Sequence, residues 1–160
     1  MVFEKANLDD IEELIELRIA YLLEDYGVIS QNKLAVIVNN LPLYFHSHIN
    51  KDLFAFVCRN EDIIVGCCFL YISEKPSNPT FINGKTGTIM NVYTRPQFRR
   101  NGIAGKLIKM LLADSEKNGL DYVELNATDS GYKLYKSLGF EDAISKYHSM
   151  KFNIDYHNKL

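Results

Sequence analysis

Between residues 8 and 25, Ile11, Leu14, Ile15, Ile19 and Leu22 recur at three-to-four-residue spacing, with Glu12, Glu13 and Glu16 on the opposite side. That spacing predicts an amphipathic helix over 8–25, with Asn7 as its cap. By helical angle Arg18 falls inside the apolar stripe, an expensive place for a charge unless it is paired or faces a cleft. Ser30 opens a second helical stretch through 40, and Pro42 either kinks it or starts another helix reaching about 49. The runs 53–58 and 63–72 are apolar almost throughout and are joined by a polar turn, the pattern of a hairpin of buried strands. The segment 74–83, with Pro76 and Pro79, reads as a loop.

Farther on, the β-branched and aromatic run around Thr88-Ile-Met-Asn-Val-Tyr93 predicts a strand over 86–93, closed off by Pro96, which restricts Arg95. Ile103, Leu107, Ile108, Leu111 and Leu112 then mark a helix over 102–118, with Asn101 as N-cap and Gly119 as stop. A short strand over 122–126, a short helix over 131–138 ended by Gly139, and a final strand over 148–154 complete the order. Strand, helix and strand from 86 to 126 form a crossover unit, so those two strands should be parallel. The fold class is α/β (α+β): a mixed, mostly antiparallel sheet flanked by helices. With neither repeat nor linker, residues 1–160 should form one domain.

The segment 91–106 carries the clearest chemistry. Gly102 and Gly105 have no Cβ, so their backbone N–H groups can approach phosphate oxygens, and the helix starting there adds unpaired donors. Arg95, Arg99 and Arg100 add positive charge at the rim, making this a place to hold a pyrophosphate. Two other phosphate motifs fail. Gly102-Ile-Ala-Gly105 does not supply the G-x-G-x-x-G of a dinucleotide site, and Gly84-Lys85-Thr86 imitates the end of a P-loop but has Pro79 where Gly is needed and a strand after it.

Composition narrows the partners. A formal net charge of −2 over 160 residues argues against a dedicated nucleic-acid binder, so any basic patch is local. No apolar run approaches the roughly 20 residues of a membrane span, and the first residues lack the order of a signal peptide, so no membrane partner and a cytoplasmic address are expected. Cys58, Cys67 and Cys68 read as buried reduced thiols, the adjacent pair pointing to opposite faces of a strand. His46, His48, His148 and His157 form no metal-ligand spacing, and no metal is expected.

Arg99-x-x-Gly102-x-Ala104 resembles motif A of the GNAT superfamily of acetyl-CoA-dependent N-acetyltransferases, whose pattern is Arg/Gln-x-x-Gly-x-Gly/Ala. Leu134-Tyr-Lys-Ser-Leu-Gly-Phe140 is similar to motif B of that family, and Met90 to Pro96 with Asn126 to Asp129 resemble a common bacterial branch. The resemblance covers nearly the whole chain. It implies a GNAT-like sheet whose parallel strand pair splays apart, with acetyl-CoA as the acetyl donor. Its pantetheine would lie along the main chain of Asn91, Val92 and Tyr93, its pyrophosphate on Arg99, Arg100, Asn101, Gly102, Ile103, Ala104 and Gly105, with Asn126 also on the cofactor side.

Tyr135 is then the candidate general acid. A phenol with a pKa of about 10 is protonated at neutral pH, and a thiol near about 8.5 is close enough for proton donation through a hydrogen bond. Some family members place a carboxylate base on the motif A strand. This chain has Thr88, Met90 and Asn91 there, which leaves Glu124 and Asp129, flanking the second parallel strand, as base candidates. Arg18 could face the acceptor cleft and hold a carboxylate; a structural salt bridge is the alternative. The acceptor itself, a small-molecule amine or a protein amine, would meet a wall made by the first two helices and the loop at 74–87. A non-catalytic acyl-CoA-binding sensor or structural subunit is the competing function. An edge strand near the C-terminus could pair across a homodimer.

Overall fold

The structure is a computed structural model, and it describes residues 1–154. Five strands lie side by side in chain order: β1 (Val2–Lys5), β2 (Leu53–Asn60), β3 (Ile63–Glu74), β4 (Lys85–Thr94) and β5 (Tyr122–Glu124). The first three pairings are antiparallel, and β4 with β5 is parallel, as a crossover through a helix requires. The helices are α1 (Ile11–Tyr26), α2 (Gln31–His48), α3 (Ile103–Lys117) and α4 (Asp129–Ser137).

The sheet separates two cores. Leu53, Ala55 and Val57 of β2 pack with Leu14 and Leu17 of α1 and Phe45 of α2. Their neighbours Phe56 and Cys58 turn the other way, onto Ile103, Leu107, Ile108 and Leu111 of α3. Cys67 and Cys68 follow the same alternation, one in each core, both fully buried and free. Gly66 lets α3 approach: a Cβ there would sit 2.8 Å from Ile103 Cγ2.

Asn7 does cap the first helical segment. Its Oδ1 accepts from the Asp9 amide at 2.7 Å, and the Asp10 carboxylate accepts from the Asn7 amide at 2.8 Å, a capping box. The opening turn, Leu8–Asp10, is a 3-10 helix, and the α-helix proper begins at Ile11. Pro42 starts no new helix; α2 runs through it.

Two expectations need correction. The cap of α3 is Gly102, not Asn101, because Gly102 takes the left-handed conformation (φ 72°) while the Asn101 side chain donates to the Phe98 and Arg99 carbonyls and ties the preceding turn. No strand forms over 148–154, where Met150, Phe152 and Ile154 are exposed. Alternation is a local signal, whereas a strand needs a neighbour for its backbone groups, and β5 offers an edge only three residues long. The sheet edges are therefore β1 and β5.

Candidate active site

β4 is interrupted at one point. Opposite β3, Cys67 faces Tyr93 and Phe69 faces Met90, so Asn91 and Val92 share the place of one residue, a β-bulge. Asn91 carries the positive φ (53°) that the bulge needs, a conformation asparagine tolerates better than most residues. Its side chain, 2% exposed, is fully used: Nδ2 donates to Cys67 Sγ at 3.4 Å, and Oδ1 accepts from Arg18 Nη1 at 3.2 Å. On its other side β4 pairs with β5 only from Thr86 to Thr88, so residues 89–94 have no partner strand there.

A cavity of about 690 Å³ opens at this split. Val92, Tyr93 and Thr94 of β4 form one wall, Tyr21 and Glu24 of α1 another, and Thr128, Leu134 and Tyr135 of α4 and its cap a third. Its end is the start of α3. Arg100 (φ 65°) and Gly102 (φ 72°) are both left-handed, and α3 has no side-chain cap. The amides of Ile103, Ala104 and Gly105 thus keep their donors unpaired within the helix. No atom lies within 4 Å of where a Gly102 Cβ would be, so the space in front of the turn is open. Such a turn fits an anionic oxygen cluster.

The arginines are less available than their spacing suggests. Arg99 turns to α1, where Nη2 pairs with Glu24 Oε2 at 2.5 Å, while Nε donates to the Thr94 carbonyl at 2.9 Å and the guanidinium lies over the Tyr93 ring. Arg95 donates to the Ile64 carbonyl and pairs with Glu16 at 3.5 Å, away from the cavity. Arg100 lines the cavity and is exposed. Asn101 is exposed at the turn.

Tyr135 faces the cavity from α4, its ring edge-on to Phe140 at 5.8 Å. Burial pushes its phenol up to about 12. Gly131, one turn earlier, makes room for it: a Cβ there would lie 2.9 Å from Tyr135 Cε2. Glu124 and Asn126 line a second cleft of about 1190 Å³ between β5, α3 and the segment after α4, and that cleft shares Tyr135 with the first. Asp129 is the exposed first residue of α4 and lines neither. Burial pushes the Cys67 thiol up to about 12 and raises Cys68 as well, which makes both poor nucleophiles.

Tyr21 and Glu24 line the cavity, and spacing alone did not single them out. The usable signal is their continuation of the Arg18 stripe at three-residue steps along α1. Thr128 is readable only as a cap, and its Oγ1 does accept from the Gly131 amide.

The sequence model of a family described as "Acetyltransferase (GNAT) domain" matches residues 51–142. The chain belongs to the GNAT acetyltransferase family. Among solved structures, this GNAT chain is similar to a predicted acetyltransferase with acetyl-CoA from Clostridium acetobutylicum, at 26% identity and a TM-score of 0.80, covering 94% of this chain and 95% of that one. A GCN5-related N-acetyltransferase from Ralstonia eutropha shares the fold at 22% identity and a TM-score of 0.79, covering 93% and 97%. So does a ribosomal-protein-alanine N-acetyltransferase from Brucella melitensis, at 20% identity and 0.67, covering 96% and 100%. A search of curated proteins finds no match. Family and fold together make the chain an N-acetyltransferase.

Proposed function

We propose that this GNAT enzyme moves the acetyl group of acetyl-CoA to a primary amine by direct attack in a ternary complex, without a covalent enzyme intermediate. The observation that carries this reading is the uncapped start of α3 opening into the split between β4 and β5, with Tyr135 across it. The amides from Arg99 to Gly105 would hold the pyrophosphate, and the unpaired main chain of Asn91, Val92 and Tyr93 the pantetheine.

The amine nitrogen bonds to the acetyl carbon, the carbon–sulfur bond breaks, and the thiolate needs a proton. Tyr135 supplies it. Held near 12 by burial, the phenol keeps its proton across the working pH range and donates a hydrogen bond that strengthens as charge grows on sulfur. β4 carries no carboxylate to take the proton from the amine. Glu124 lies in the neighbouring cleft and Asp129 is exposed at the start of α4, so either would act through water. The same missing carboxylate favours the second reading, an acyl-CoA-binding sensor or structural subunit.

Calorimetric titration with acetyl-CoA tests the donor site. Gly102→Val forces a β-branched residue into a left-handed position and fills the open space before the turn, and the affinity should fall at least roughly tenfold. Unchanged affinity would remove acetyl-CoA from this turn. A screen of amines for released CoA separates enzyme from sensor, since a sensor binds acetyl-CoA and releases none.

A further inference from the structure

Arg18 differs from the other arginines of the sheet's α1 face. Arg59 pairs with Glu4, Asp10 and Glu13, Arg95 with Glu16, and Arg99 with Glu24. Arg18 is half-buried on α1 between the buried Leu14, Leu17 and Leu22, yet among the described residues it has no ion pair. Its polar contact is the single hydrogen bond to Asn91 Oδ1, and its guanidinium stands 5.7 Å from the Tyr21 ring centroid. Four acids of its own helix are engaged elsewhere and Glu12 is exposed on the polar side: Glu13 accepts from the Ile64 amide, Glu16 and Glu24 hold Arg95 and Arg99, and Asp25 accepts from Tyr21 Oη. A guanidinium has five donors, so most remain unspent in a partly desolvated place where an unpaired charge is costly.

Its position explains why that cost is kept. Asn91 is the bulge in the stretch of β4 that lies beyond its pairing with β5, and Tyr21, one turn along α1, lines the cavity. We propose that Arg18 receives a carboxylate carried by the amine acceptor, so that the acceptor is a small amino-carboxylate. This rests on the acetyltransferase reading and names the substrate class for the same site. A planar guanidinium offers two parallel donors to a carboxylate, and one positive charge balances one negative charge. A phosphate dianion would need a second cation. Arg95, whose charge also reaches Cys67, is paired with Glu16.

The test is a panel in which amino acids are set beside their α-carboxamides, with ethanolamine phosphate added, assayed for CoA release and by calorimetry in the presence and absence of CoA. Wild type, Arg18→Met and Arg18→Lys are compared, each checked for folding by circular dichroism. In wild type the carboxylate member of a pair is the better acceptor. The selectivity, kcat/KM for the amino acid over that for its carboxamide, falls roughly 10- to 100-fold in Arg18→Met, and Arg18→Lys restores only part of it, because a lysine keeps the charge without the fork. Equal selectivity in wild type and Arg18→Met overturns the proposal, as does a best acceptor without a carboxylate or a preference for the phosphate ester. If no amine releases CoA, the acetyltransferase reading falls and the calorimetry still decides. Amino acids that bind wild type and not Arg18→Met sustain the carboxylate site, and equal binding removes it.

Discussion

The two long sides of β4 are built from one strand and behave oppositely. Toward β3 it is paired from Lys85 to Thr94, and the residues around that ladder, such as Leu70 and Ile89, are almost wholly buried. Toward β5 the pairing stops after three residues, leaving backbone groups that a folded interior would normally satisfy. A sheet that closed both sides would be more regular and would have no cavity at 89–94. Burial is concentrated on one side of the strand and the cavity on the other, where the proposed function puts recognition.

Substitutions on the two sides should therefore separate stability from function. On the closed side, Leu70→Ala removes a fully buried side chain and should cost about 3 kcal/mol in urea unfolding, with acetyl-CoA affinity of the folded protein unchanged. A parallel loss of affinity would mean the two sides are not independent. On the open side, Tyr135→Phe should lower kcat about 10- to 100-fold with the KM for acetyl-CoA nearly constant and Tm unchanged. A kcat equal to wild type would reduce Tyr135 to a packing residue.

Gly131→Ala sharpens the contrast, because the two effects should have opposite signs. Alanine favours the helix by up to about 1 kcal/mol, yet its Cβ pushes the Tyr135 ring, so Tm should hold or rise while kcat drops about threefold or more. The smallest effect is alkaline. Burial holds Tyr135 and Cys67 near 12 in the folded chain, against 10.0 and 9.0 for the unperturbed phenol and thiol, so above pH 9 the unfolded chain releases these protons first. Stability should be level below pH 9 and fall from there to pH 12, and Tyr135→Phe should flatten the upper part of a urea-titration series.

The elements with strong periodicity are legible from residues alone. The hydrophobic stripe of α3, the alternation of β2 and the opposite facing of Cys67 and Cys68 follow from side-chain geometry, and the glycine turn is legible because few residues suit φ near 70°. Pairings between distant residues are not. Arg99 looks like a free phosphate ligand until α1 brings Glu24 to it, and Arg95 until Glu16 is seen beside it. The strand expected at 148–154 fails for the same reason: whether alternation becomes a strand depends on a neighbour the local pattern does not specify. Arg18 is the instructive mixture, since helical angle places it in the apolar stripe but only the fold reveals that, among the described residues, no carboxylate pairs with it.

The bulge at Asn91 also acts as a phase shift. In an unbroken strand residues four apart point the same way, yet Ile89 joins the core under α3 and Tyr93 the core under α1. One supernumerary residue has reversed the parity of everything after it, sending Val92 to the α3 side and Tyr93 beneath the α1 residues that hold Arg18. The count of residues in β4, as much as their identity, decides which side of the sheet each group at the split belongs to.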